Sequence, residues 1–330
     1  MIKLKLLPLL LWSTAFILVA SIFYQLPLNT IVLHLSQLTF VQWCAWISLN
    51  LTIIAVATQR WITLVKGLDL SIPFYQLLQI RQAGQSISFM TPGPQFGGEP
   101  LQIYWLCKQQ HWPIHKALLA VGVDRFYELW INFGVLLISV ILLMITSGST
   151  ITNLSTTLNW QTIFLVLLLI LLSLSLLGGF ILKHPDRVFI WLKRVTHYWQ
   201  HHPRLINLET HWQYLHLDLK QLITHRKSAL LSAFMWSLIG WGSLISELWL
   251  ILSFFDLKLS VSHFMMIFVA MRLAFLLPLP GGIGTLEVSL FWVFQILDLP
   301  LGAVMSVIAM MRLRDAITLL IGLSYVRKFK

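Results

Sequence analysis

The sequence predicts an all-α, polytopic membrane protein with about six full transmembrane helices and two broken re-entrant hairpins arranged as an inverted repeat. Three observations predict it. The 330 residues are 58% hydrophobic and only 11% charged, where a soluble chain carries about 25% charged residues. Leu6 to Tyr24, Val41 to Thr58, Ile163 to Leu182 and Ala229 to Phe255 are apolar runs near the roughly 20 residues a spanning helix needs. Their continuity lacks the alternation of barrel strands. Twice, finally, proline and glycine interrupt apolar sequence, in "TPGPQFGGEP" and "LPLPGGIGTLE".

Taken in order, the elements follow from charge as well as hydropathy. "MIKLK" opens the chain, and its lysines place the N-terminus on the cytoplasmic side of the cell membrane by the positive-inside rule. The apolar stretch that follows is too long for a signal-peptide core and precedes no small-residue cleavage site, so a retained first helix is expected. The second helix returns to a cytoplasmic Arg60 and Lys66. The segment from Pro73 to Cys107 starts and ends beside basic residues and reads as re-entrant. A third span near Ala117 to Ile145 exits, and a fourth returns to Lys183. Residues 183–227 read as one long, basic, cytoplasmic loop. A fifth span exits, Phe264 to Leu297 forms a second hairpin, and a last helix near Leu301 to Tyr325 brings "RKFK" to the cytoplasm.

The two broken segments superimpose. Pro92, Glu99, Pro113, Arg125 and Glu128 are separated by six, thirteen, eleven and two residues; Pro280, Glu287, Pro300, Arg312 and Asp315 by six, twelve, eleven and two. Residues 1–330 therefore read as one domain with repeat motifs at 73–130 and 261–318, entered from opposite sides. Inverted repeats with broken helices near the midplane form binding sites in transporters. Irregular backbone at that depth is tolerated only against protein or a wet cavity.

The net charge of +11 fits topology signals and contacts with anionic lipid rather than nucleic acid, for which no recognition motif is present. Cys44 and Cys107 suggest neither a disulfide framework nor a metal site. The loop histidines His197, His201, His202, His211 and His216 lack the H-E-x-x-H pattern, and "GGIG" lacks the strand and Lys-Ser of a phosphate loop. No cofactor, metal or catalytic motif is expected, and no enzymatic activity. Trp43, Trp46, Trp241 and Trp249 suit interfacial belts or helix packing.

Charges within apolar sequence carry the site expectations, because each costs about 2.5–3.5 kcal/mol at a helix centre. Arg81 and Arg272 precede the breaks; they either hold a phosphate or snorkel to the headgroups. Arg125 with Glu128, and Arg312 with Asp315, are three apart and either pair locally or meet substrate. Glu99 and Glu287 follow the glycines and would cap exposed N–H groups, relay protons or hold a coupling ion. Glu247 is an acid without an evident partner and a candidate for a coupling ion. Half-helix N-termini would add a positive dipole end suited to an anion.

"PGGIGTLE" at Pro280–Glu287, paired with "PGPQFGGEPLQIYWL" at Pro92–Leu106 and followed by "DRFYEL", resembles the lysylphosphatidylglycerol synthase transmembrane family over nearly the whole chain. The resemblance implies a flippase-like protein that moves lipids or lipid-linked headgroups between leaflets. Pro92, Gly93, Gly97, Gly98, Glu99, Pro280, Gly281, Gly282, Gly284 and Glu287 fall on its motifs, and Asp124 and Arg125 on its following segment. Gln102 stands where many relatives carry arginine. The expected partner is a membrane lipid or lipid-linked substrate with an anionic headgroup. The alternative is a non-transporting membrane partner that presents lipid to a glycosyl- or aminoacyltransferase.

Overall fold

The computed structural model describes residues 35–91, 97–146, 160–183, 187 and 208–328, apart from 256, 258 and 278. The expected first helix, Pro92, Gly93 and the loop histidines His197, His201 and His202 lie outside the described residues. All regular structure within them is helical.

Helix starts follow local chemistry. The first described helix, α1 (Phe40–Gly67), opens on a reciprocal cap in which the Thr39 hydroxyl accepts from the Gln42 N–H and the Gln42 side chain accepts from the Thr39 N–H. Pro73, Pro113 and Pro300 stand immediately before α2 (Phe74–Met90), α4 (Ile114–Thr146) and α10 (Leu301–Lys328). Proline lacks the N–H that a helix start would leave unpaired. Between α2 and α4 lies the half-helix α3 (Glu99–Gln109). The chain continues through α5 (Trp160–Lys183), α6 (Leu208–His225) and α7 (Lys227–Ser253). Then come α8 (Val261–Leu276), a single 3-10 turn at Pro280–Gly282 and the second half-helix α9 (Thr285–Ile296).

Two four-helix units emerge: α1–α2–α3–α4 and α7–α8–α9–α10. Their packing is reciprocal, since α2 lies on α10 while α8 lies on α4, and α1 lies on α7. The equivalent helices α1 and α7 run antiparallel. A Cβ built on Gly67 would sit 3.0 Å from the Ala229 Cβ, and one on Gly240 would sit 3.5 Å from Val56. Helices α2 and α10 are antiparallel too: Ser86 donates to the carbonyls of Thr318 and Leu319, while Tyr75 meets Tyr325 edge-on at 6.5 Å. Gly322 permits this approach, because a Cβ there would fall 2.4 Å from the Gln82 carbonyl oxygen. Equivalent helices pointing in opposite directions are the geometry of an inverted pair.

Four described helices are long and apolar enough to cross a bilayer: α1, α4, α5 (over Thr162–Ile181) and α7. The protein is an all-α polytopic membrane protein. Helix α10 has the length of a span but is set apart from these four by three charges, Arg312, Arg314 and Asp315, in its middle. Exposed Leu165, Leu169, Leu172, Leu176 and Phe180 give α5 an apolar outer face that suits lipid rather than water.

Two sequence expectations need correction. Residues 208–225, expected as loop, form α6, in which Leu215, Leu219 and Leu222 recur at helical spacing. Leu222 is buried, and a Cβ on Gly67 would lie 2.8 Å from it. Arg60, expected in a cytoplasmic loop, lies inside α1, which runs unbroken to Gly67, and is 5% exposed.

Candidate functional site

Each break presents a carboxylate at the start of its half-helix. In the second, Gly281, Gly282 and Gly284 adopt left-handed φ of 59°, 60° and 85°, a region that favours glycine. This folds the chain so that the Gly284 N–H donates to Glu287 Oε2 at 2.8 Å. In the first, the Gly97 N–H donates to Glu99 Oε2 at 2.7 Å and the Gly98 N–H to Ser88 Oγ at 2.9 Å. Both acids cap backbone donors, so these N–H groups are not left open to an anion.

An arginine then holds each acid from the following long helix. Arg125 Nε lies 2.9 Å from Glu99 Oε1, and Arg312 Nε lies 2.6 Å from Glu287 Oε1. Each arginine also pairs three residues onward, Arg125 with Glu128 at 2.8 Å and Arg312 with Asp315 at 3.2 Å. Arg312 additionally donates to the carbonyls of Gly281 and Gly282, both at 3.0 Å. The aligned pairs Glu99 and Glu287, Arg125 and Arg312, and Glu128 and Asp315 thus recur as one device in both halves. The breaks also meet across the halves, as Phe89 at the end of α2 rests on Gly281, where a Cβ would fall 2.4 Å from its ring.

Beyond this shared device the halves differ. In the first, Asp124 bridges Arg60 Nε at 2.7 Å and Arg81 Nη1 at 2.9 Å, with all three side chains buried. In the second, Glu247 Oε2 takes Arg314 Nη1 at 2.7 Å, and Arg314 also holds Asp315 at 3.0 Å. Arg60 lies seven residues before the end of α1 and Glu247 six before the end of α7. The polarity between equivalent helices is therefore reversed: a cation of α1 meets acids of α4, and an acid of α7 meets a cation of α10.

Arg272 stands apart. It has no carboxylate partner among the described residues, and its Nε is buried without a hydrogen bond. Its guanidinium lies 4.4 Å from the Trp241 ring centroid and 5.6 Å from that of Phe268. Each half holds three arginines against three carboxylates: Arg60, Arg81 and Arg125 against Glu99, Asp124 and Glu128, and Arg272, Arg312 and Arg314 against Glu247, Glu287 and Asp315. Within each network the positive and negative charges cancel.

A cavity of about 710 Å³ opens between the halves, mostly apolar, walled by α1, α2, α4, α7, α8 and α10. Of the residues singled out from sequence, Arg81, Arg125, Glu128, Glu247, Arg272 and Asp315 line it. Gly97, Gly98, Glu99, Gln102, Asp124, Pro280, Gly281, Gly282, Gly284, Glu287 and Arg312 do not; they form the frame behind it. Gln102 is buried and packs on Gly84, its amide 3.5 Å from the Arg81 carbonyl. Two expectations change. Arg81 is committed to Asp124 rather than snorkelling, and Glu247 has Arg314 as its partner.

Arg60 and Arg314 line the cavity and were not expected there as binding residues. Arg60 could have been suspected from Asp124, since an acid in an apolar helix demands a cation. Trp46 and Trp241, expected at interfaces or in packing, line the cavity, whereas Trp249 is exposed.

The frame leaves no space to spare. A Cβ on Gly98 would fall 1.9 Å from the Gly84 carbonyl oxygen, a backbone atom that cannot swing aside. Gly98→Ala is expected to destabilise the protein by about 1–3 kcal/mol, read as a lower melting temperature of the detergent-solubilised protein.

Comparison with known proteins bears on the family. No curated protein and no solved structure matches the chain. The model of the lysylphosphatidylglycerol synthase TM region matches residues 3–322, spanning both hairpins, both networks and the cavity between them. The chain belongs to the lysylphosphatidylglycerol synthase TM-region family.

Proposed function

We propose that the protein translocates a lipid or lipid-linked intermediate with an anionic headgroup across the cytoplasmic membrane, its N- and C-termini on the cytoplasmic side. It acts as a transporter rather than an enzyme, and no chemical step is assigned to it. The observation that carries this reading is Arg272, a cation without a carboxylate partner among the described residues, on the wall of a cavity between two inverted halves. A guanidinium suits a phosphate oxygen, and Trp241 and Phe268 hold it in place from behind. The apolar remainder of the wall can accommodate the first segments of acyl chain while their length stays in the bilayer. Alternating access comes from one four-helix unit rocking against the other. Family membership supports the reading, as does the pairing of Arg81 with Asp124, which leaves phosphate contact to Arg272.

The test is leaflet exchange of an acyl-labelled phosphatidylglycerol in proteoliposomes, followed by chemical quenching of the outer leaflet. Protein-dependent exchange is expected, and Arg272→Gln should lower its rate by about tenfold or more, as removing one partner of a buried charge contact does. An unchanged rate in the variant would remove Arg272 from the site. Lipid binding without exchange would instead favour the lipid-presenting partner.

A further inference from the structure

Neutrality of the networks has a consequence for any anionic cargo. Among the described residues Arg272 touches no carboxylate, yet its charge already offsets the rest of its own network, where Glu247, Glu287 and Asp315 outnumber Arg312 and Arg314. A phosphodiester entering the cavity therefore leaves the buried site one negative charge in excess. Low-dielectric surroundings penalise that excess strongly.

Glu247 is placed to remove it. The residue is 2% exposed and lines the cavity; one carboxylate oxygen accepts from Arg314 and the other, Oε1, is buried without a partner. The charged groups facing it are Arg314 and Asp315 on α10 and Arg272 on α8. Across the cavity stand Arg60 on α1, Arg81 on α2, and Arg125 and Glu128 on α4. Helix α6 meets α7 at the Ala229 end, about five helical turns away, and no α6 residue lines the cavity.

We infer that Glu247 takes up one proton for each anionic headgroup bound, so that headgroup and proton occupy the cavity together as an electroneutral pair. Phosphate oxygens compete for the N–H groups of Arg272 and Arg314. As Arg314 turns to the phosphate, Glu247 loses its ion pair while remaining buried, and a buried carboxyl without a cation is more stable neutral. The proton comes from water and forms an O–H bond on Glu247, and no bond of the lipid breaks. The headgroup-bound protein holds this proton more tightly than the free protein. Affinity for the anion therefore rises as pH falls through the interval between the two ionisations, and is flat outside it.

The inference rests on the proposed anionic-headgroup site but is tested by binding, apart from transport. Affinity of the purified full-length protein in detergent is measured across mildly acidic to mildly basic pH, for phosphatidylglycerol and for phosphatidylcholine. The first carries a phosphodiester charge that does not titrate there, and the second has no net charge. Wild-type affinity for phosphatidylglycerol should strengthen on acidification, approaching about tenfold per pH unit at its steepest, while phosphatidylcholine gives a flat profile. Glu247→Gln, permanently neutral, should bind phosphatidylglycerol without pH dependence. A flat wild-type profile, or a wild-type slope retained by Glu247→Gln, would overturn proton uptake. Leaflet exchange in proteoliposomes then separates the two ideas. Exchange with no pH slope sinks the proton and spares the transporter, whereas a slope with no exchange does the reverse.

Discussion

Replacing Arg312 by leucine is expected to destabilise the protein by about 3–5 kcal/mol, the usual consequence of stranding one member of a buried ion pair. Arg312 is tied to four groups: Glu287, Asp315 and the carbonyls of Gly281 and Gly282. It thus bonds both the carboxylate that caps α9 and the left-handed glycine turn that precedes it. Glu287 is 5% exposed, so without Arg312 its charge faces apolar surroundings with only the Gly284 N–H for company. The melting temperature in detergent should fall sharply, and membrane yield with it. A double replacement of Arg312 and Glu287 by leucine should recover part of the loss, because the stranded charge is then gone as well. Equal loss in the single and double variants would mean that the arginine acts through the glycine carbonyls alone.

Asp124→Asn is expected to have the second large effect, again about 3–5 kcal/mol. Its carboxylate neutralises two buried arginines from separate helices, Arg60 of α1 and Arg81 of α2. Asparagine preserves shape but leaves both guanidinium groups in apolar surroundings, with Glu128 at 3.6 Å as the remaining ion-pair contact of Arg60. The loss is read by thermal denaturation in detergent. Adding Arg81→Gln to Asp124→Asn should restore part of it, because one of the two stranded cations is removed. Arg60→Gln alone should be milder than Asp124→Asn, as Arg81 would still neutralise the aspartate.

The two effects mark how far sequence reasoning reaches. Arg312 was legible: it stands three residues from Asp315 on one helix, at a position that recurs in the repeat as Arg125. Glu287 was legible as a capping acid because a carboxylate three residues into a helix start can reach the N-cap N–H. Arg60 was not legible, because charge near the end of an apolar run is the ordinary signature of a cytoplasmic loop. Its burial depends on α1 continuing to Gly67 beside α4, where Trp61 also donates to the Ala120 carbonyl. Helix α6 was hidden for a related reason: its apolar spacing is interrupted by basic and polar residues that lower its mean hydropathy.

The cavity shows the same division. Motif glycines attract attention in sequence because their backbone conformations are rare, yet they build the frame and leave the wall to others. The wall includes Trp46, Arg60, Trp241, Arg272 and Arg314, residues with ordinary local spacing that converge from separate helices.

Taken alone, the sequence determined the helical membrane class, the two breaks, the matched spacing of prolines and charges, and the family. Each depends on composition or on neighbours along one helix, which a linear reading contains. Tertiary structure decided that Arg60 and Arg81 share Asp124, that Glu247 meets Arg314, and that Arg272 has aromatic rather than carboxylate partners among the described residues. Those contacts join residues 43 to 67 positions apart in the ion pairs. Partnership at that distance is set by which helix faces pack together, and within a low-dielectric interior that packing decides which charge is neutralised and which is left for a ligand.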